Sequence, residues 1–218
     1  MPNRLPAIEF GDCDDVRDRL SKAQKAWQTF VVQKRSQGPK NWDAIVKHSV
    51  GPNAFRGFRH QTPSKSFWQW ATKHFRKEHF EALIGQPNEM SFDKAHSELV
   101  DSLIEGWPSA INYGQAAKLT DLAVLSGYES SQLSPELLDK ASSLIHVPLD
   151  EYVLVAIRIC AKTFPGPDAI RNISTRPSMG FVKSQRQYKA FQSGIRSVAT
   201  KAGVPPLVLN YITWTKSH

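Results

Sequence analysis

Cysteine is nearly absent: the 218 residues contain only Cys13 and Cys160. Two thiols exclude a disulfide-built scaffold, and they exclude an iron–sulfur or zinc site made of four cysteines. No apolar run reaches the length of a membrane span and no signal-like opening is present, so a cytoplasmic protein with no membrane partner is expected. Internal repeats and low-complexity tracts are missing. The seven histidines show no metal spacing: His74 and His79 stand five apart rather than four, without attendant carboxylates, so neither a metal nor another cofactor is expected. There is no glycine-rich phosphate loop, no Gly-x-Ser-x-Gly elbow and no Cys–His pair, which removes three common routes to catalysis. Sustained alternation of β-branched residues is lacking too, and that leaves a helical fold.

What the chain does contain is positive charge and helical periodicity. Lysine and arginine outnumber acidic residues 28 to 20, for a net charge of +8 and a pI near 9.5, which fits a polyanionic partner. A first helix opens at Asp12 or Asp14, repeats Val16, Leu20, Ala23, Trp27 and Val31 at three- and four-residue intervals, and stops at Gly38-Pro39. A short segment spans Asn41 to Val50. A basic loop from Ala54 to Pro63 follows, with Arg56, Arg59 and His60. One helix is predicted from Ser64 to about Ile84, apolar through Phe67, Trp70, Ala71 and Phe75, and basic through Lys65, Lys73, Arg76 and Lys77. The next is capped by Ser91 and ends at Trp107-Pro108. After an irregular stretch from Pro165 to Pro177, a long helix runs from Phe181 to Ala202 with Tyr188, Phe191, Ile195 and Val198 as its buried stripe. Gly203 closes it and Pro205-Pro206 start the last helix. The fold class is therefore all-α, a compact multi-helix bundle, arranged as one domain over 1–218 or as two helical lobes with a cleft between them.

Two polar residues stand out within the apolar middle of the chain. Gly114-Gln115-Ala-Ala-Lys118-Leu-Thr-Asp121 reads as a helix opening just after a turn, with Lys118 in its first turns, where the positive end of the helix dipole disfavours a cation. His146-Val-Pro148-Leu-Asp150 reads as a loop entering another helix, with Asp150 placed to cap it. The interval between the two leaves room for one short extra helix. Asp121, three residues past Lys118 on the same face, is a rival partner that would keep the amine protonated.

Gly114-x-x-x-Lys118-hydrophobic-x-Asp121 followed by hydrophobic-Pro148-hydrophobic-Asp150 resembles the helix-hairpin-helix DNA glycosylase superfamily, and most of all its branch that removes oxidised guanine, in the archaeal form. The resemblance implies that Lys118 is the nucleophile attacking the sugar C1′ and that Asp150 activates it and stabilises positive charge on the sugar. It implies that Gly114 and Gln115, at the hairpin, touch DNA phosphates. The tail, Pro205-Pro206-Leu207-Val-Leu209-Asn210-Tyr-Ile-Thr-Trp214, resembles that form's closing helix, in which an Asp and a Trp four apart line the base pocket; Asn210 stands here in place of the Asp. Only one glycine remains of the two the hairpin usually carries.

The chemistry needs these residue types. An amine nucleophile must be neutral, and desolvation lowers a lysine pKa. Loss of a base develops positive charge on the sugar, which a fixed carboxylate stabilises. An extruded base is held by aromatic faces, and Trp214, Trp107 and Tyr113 are the candidates, with His146 beside them. Arg56 and Arg59, together with the other basic residues, would meet phosphates. The expected activity is a DNA glycosylase with AP-lyase activity on double- or single-stranded DNA, acting as a monomer associated with the nucleoid. The substrate is oxidised guanine, another damaged base, or a modified base in phage DNA attacked in defence. The alternatives are a non-catalytic helical nucleic-acid-binding protein and a helical interaction protein whose basic face is merely solvated.

Overall fold

The computed structural model describes residues 10–39, 41–55, 58, 62–130, 133–161, 173, 177 and 179–215. Among these there are ten α-helices and no strand: α1 (Cys13–Gln37), α2 (Trp42–Ser49), α3 (Pro63–His74), α4 (Lys77–Ile84), α5 (Glu89–Gly106), α6 (Tyr113–Ser130), α7 (Pro135–Leu144), α8 (Glu151–Cys160), α9 (Gln185–Lys201) and α10 (Leu207–Thr215). Short 3-10 turns occupy Pro52–Phe55 and Met179–Phe181. The all-α expectation holds. No described helix is long and apolar enough to cross a membrane.

The helix starts follow from side-chain caps. Asp12 accepts the amides of Asp14 and Asp15, Ser134 that of Leu137 and Ser184 that of Gln187. Gly203, at φ +71°, turns the chain after α9 in a conformation that suits glycine. Two starts differ from the sequence reading. Ser91 lies inside α5, and Asn88 caps that helix by accepting the Ser91 amide at 3.0 Å. The run from Phe181 begins as a 3-10 turn, and α9 proper opens only after Ser184.

A larger departure concerns the helix expected over 64–84, which is broken into α3 and α4. The break lies at Phe75, whose buried ring packs among Trp42, Trp70 and Phe80. Its carbonyl accepts the Trp42 indole N–H at 2.9 Å instead of an intrahelical amide, and His79 Nδ1 accepts the Arg76 amide to start α4. Aromatic burial outweighs the few backbone bonds a continuous helix would add.

α6 is the axis of the molecule. It packs against α1, α2, α5 and α9, and the buried apolar side chains of the surrounding helices form one continuous core. Gly127 permits this closeness: a Cβ there would lie 2.9 Å from the Phe80 ring. Cys13 and Cys160 are joined in a disulfide that ties the start of α1 to the end of α8, with Cα atoms 4.6 Å apart. A single bridge is not a disulfide scaffold. Disulfides are nonetheless the habit of oxidising compartments, so this one does not support a cytoplasmic location.

Candidate active site

Lys118 projects from the second turn of α6, half-buried. Among the described residues it makes no hydrogen bond or ion pair. Burial pushes its amine below the usual lysine pKa, and the charge of Asp150 acts in the opposite sense. Asp150 caps α8 as its position implies, with backbone φ −111° and its Oδ1 accepting the Val153 amide at 2.9 Å. Burial raises its carboxyl, against the Val153 amide and the nearby Lys118 charge. The two groups therefore share one electrostatic environment without closing into an ion pair of 4 Å or less. This leaves the amine free of a partner that would hold its proton firmly.

Asp121 does not pair with Lys118. It is fully buried and turned into a polar cluster, where His96 Nε2 is 2.8 Å from its Oδ1 and the Tyr188 hydroxyl oxygen lies 2.7 and 2.9 Å from its two oxygens. The cluster continues through His146. Its Nδ1 is 3.0 Å from the Tyr188 hydroxyl and its Nε2 is 2.8 Å from Asp93 Oδ1, which also accepts from Arg196 at 2.9 Å. Sequence reasoning had no signal for this assembly, because its members come from α5, α6, α9 and the segment before α8. Asp121 was visible as the end of the Lys118 motif and as that lysine's helical neighbour, with nothing to connect it to α5 or α9.

The other expected contacts are distributed unevenly. His146 is 2 % exposed and both ring nitrogens are engaged, so it offers no free nitrogen to a base. Trp107 and Tyr113 are both buried at 7 % exposure: Trp107 packs on Phe58, and Tyr113 lies beside Tyr188 with its hydroxyl 3.4 Å from Ser97. Burial raises the Tyr113 phenol to about 12. Stacking either ring on an extruded base would require it to leave the core. Gly114 and Gln115 have their amides occupied inside the fold. Gly114 donates to the Val182 carbonyl at 3.0 Å, and Gln115 exchanges bonds with Asn112, its amide donating to Asn112 Oδ1 and its side-chain oxygen accepting the Asn112 amide. Neither amide is available to a phosphate. The chain solves the start of α6 by internal capping.

Asn210 is the informative residue of the tail. It is 9 % exposed, and its Oδ1 is buried with no hydrogen-bond partner among the described residues. An orphaned buried acceptor is costly unless something meets it. Trp214 belongs to α10. Arg56 and Arg59 lie outside the described residues.

Basic surface is present on two elements. Lys65 and Lys73, exposed on α3, line a groove of about 400 Å³ with Ser66, Gln69, His74 and Pro108. Burial, Lys73 and His79 together lower the His74 pKa. On the other side of the sequence, Lys183 and Arg186 are exposed at the start of α9. Against models of known protein families, curated proteins and solved structures, the chain gives no match.

Proposed function

We propose that this protein is a DNA glycosylase in which Lys118 is the nucleophile, Asp150 the stabilising carboxylate, and strand cleavage by β-elimination follows base release. The observation that carries the reading is the state of Lys118: a half-buried amine, lowered in pKa by burial, without an ion-pair partner among the described residues, and within electrostatic reach of a carboxylate fixed at a helix N-terminus. A solvated lysine on a helix surface has none of these features.

In the proposed reaction the neutral Lys118 amine attacks the sugar C1′ as the bond to the base breaks, and the base departs with the bonding electron pair and takes up a proton. Asp150 lies against the positive charge that develops on the sugar. Loss of the amine proton and opening of the sugar ring give an imine, which permits elimination of the 3′ phosphate. Asn210, with its unpaired Oδ1, is the side chain offered for a hydrogen bond to the extruded base. It accepts where an ionised Asp would accept, but without charge, so a base N–H is recognised less strongly and the preferred base need not be oxidised guanine. The basic surfaces of α3 and the start of α9 supply attraction for the phosphate backbone, since the amides at the start of α6 do not.

The test is incubation of the protein with duplex and single-stranded oligonucleotides carrying different oxidised, alkylated and deaminated bases, read out for base release and strand cleavage. Release of at least one base, lost in Lys118→Gln, is expected. A folded protein that binds DNA and releases no base would favour the non-catalytic binding reading.

A further inference from the structure

The buried cluster around Asp121 has more hydrogen-bond contacts than hydrogens to fill them. In the ionisation states these side chains carry in neutral water, both aspartates are ionised, Tyr188 has its hydroxyl proton and each imidazole has one proton. Asp93 accepts from Arg196, so the 2.8 Å contact of His146 Nε2 with Asp93 needs the imidazole proton on Nε2. His146 Nδ1 is then a bare acceptor, and its 3.0 Å contact with Tyr188 takes the phenolic proton. The Tyr188 oxygen now has no hydrogen for Asp121, although it lies 2.7 and 2.9 Å from the two carboxyl oxygens. His96 cannot make up the deficit. Its Nε2 already serves Asp121, and a second ring proton would sit on Nδ1, which is buried without a hydrogen-bond partner among the described residues.

We infer that the cluster holds one proton more than the ordinary ionisation states supply, and that Asp121 carries it as a carboxylic acid clasping the helix of Lys118 to the segment that presents Asp150. The proton on Asp121 Oδ2 donates to Tyr188, Tyr188 donates to His146 Nδ1, His146 donates to Asp93, and Oδ1 accepts from His96. Each neighbouring pair of groups is then joined by one hydrogen, the Tyr188 oxygen meeting Asp121 through Oδ2, and the core of the cluster carries no charge. Placing the proton on His146 would fill the same contacts, but it would bury an imidazolium and a carboxylate, both almost without exposure, with Arg196 nearby to oppose the imidazolium. Burial acts in the same direction on each group, raising the Asp121 carboxyl and lowering the His146 imidazole to about 3.

Among the described residues the remaining candidate is Asp93, and its bonds to His146 and Arg196 hold its carboxyl well below the usual carboxylate range despite burial. α5 contributes His96 and Asp93, with Glu89 on the far side of Arg196 at 3.5 Å. α9 contributes Tyr188 and Arg196, and α6 contributes Tyr113, itself held protonated by burial. On α1, Lys34 and Arg35 act on Tyr128 and Glu129 at the opposite end of α6, and the charged residues of α2, Asp43, Lys47 and His48, are exposed. The position of the clasp gives it its role. Asp121 lies one turn beyond Lys118, and His146 lies four residues before Asp150, where Gln192 also grips both backbone groups of Val147. Asp121 is thus a positioning residue for the pair. That role rests on the proposed activity, whereas the protonation state can be measured whether or not any base is released.

The experiment is infrared difference spectroscopy of the whole protein at pH 8 against Asp121→Asn, together with unfolding of both proteins from pH 7 to 9. A carboxylic-acid C=O band is expected in the wild-type protein at pH 8, where ordinary carboxyls are ionised, and it disappears in the Asn variant. Asn has the shape of the protonated acid and keeps its donor, so Asp121→Asn should fold with stability at least equal to wild type, while Asp121→Ala, without donor or acceptor, should not be rescued. The wild-type unfolding constant should rise about tenfold per pH unit more steeply than that of the Asn variant, one proton being taken up on folding. A wild-type spectrum without this band at pH 8 overturns the inference. So does an Asn variant as damaged as the Ala variant, or one stoichiometric divalent cation in the purified wild-type protein that is missing from the folded Asp121→Asn variant.

Discussion

Asp150 has two roles that one pair of variants separates, because a cap needs an acceptor and the proposed chemistry needs a charge. Asn accepts at an N-cap about as well as Asp, so Asp150→Asn keeps the bond to the Val153 amide and should change stability by only a few tenths of a kcal/mol. Asp150→Ala leaves the first turn of α8 uncapped and should cost about 1 kcal/mol, within the roughly 0.5–2 kcal/mol range of N-cap losses. For a chain of this size that is a fall of roughly 2–4 °C in Tm. Burial raises the Asp150 carboxyl, so neutralising it as Asn also removes a desolvation cost, which moves the Asn variant toward wild type or above it. Both variants remove the carboxylate and should lose activity alike, by about 10²–10³-fold, the size found for single stabilising groups at developing charge. Thermal unfolding followed by circular dichroism and single-turnover base release on the same preparations give both quantities. An Asn variant with wild-type turnover would leave Asp150 a cap alone. Equal destabilisation by Asn and Ala would refute the capping argument.

Three further perturbations follow from the fold. Gly127→Ala places a Cβ 2.9 Å from the fully buried Phe80 ring, so the ring or α6 must shift, and should cost about 1–3 kcal/mol in chemical denaturation; an unchanged midpoint would show that the shift is free. Glu129 is raised by burial to about 7 despite Lys34 and Arg35. A raised folded-state pKa contributes stability that is complete below the unfolded value near 4.5 and is lost as pH rises through about 7, so Glu129→Gln should flatten the stability profile over that window; identical profiles for the two proteins would count against it. Opening the Cys13–Cys160 bridge, which spans 147 positions, frees a long loop in the unfolded chain. Cys13→Ala/Cys160→Ala should therefore lower stability by up to about 5 kcal/mol, and a wild-type Tm that does not respond to reductant would argue that the bridge adds nothing.

Much of this architecture was legible in the sequence because it is written in local patterns. The stripe of Val16, Leu20, Trp27 and Val31 is buried as its spacing requires, Asp150 caps where a cap was expected, and Gly203 ends α9 with positive φ. The break at Phe75 was hidden, since it depends on Trp42, more than thirty residues away, taking the carbonyl that would have continued the helix. The site divides in the same way. Lys118 and Asp150 could be singled out from their motifs, and the structure puts each within the other's electrostatic reach, whereas the cluster of Asp93, His96, Asp121, His146, Tyr188 and Arg196 is assembled from distant segments with no repeated spacing. Gln115 shows the converse limit. Its place beside Gly114 suggests a phosphate contact, but its reciprocal bonds with Asn112 use the same groups to start α6.

The central claim is that Lys118 becomes covalently bonded to DNA, and reductive trapping tests it most directly. Borohydride converts an imine to a stable amine, so the protein incubated with a processed oligonucleotide and reductant should yield a protein–DNA adduct on a denaturing gel. Lys118→Gln should abolish the adduct while retaining DNA binding, because one charge among the 28 lysines and arginines alters the electrostatic attraction little. An adduct that persists in the Gln variant would contradict the assignment of Lys118. Base release by the wild-type protein without any adduct would contradict the imine itself and point to a water nucleophile beside Asp150.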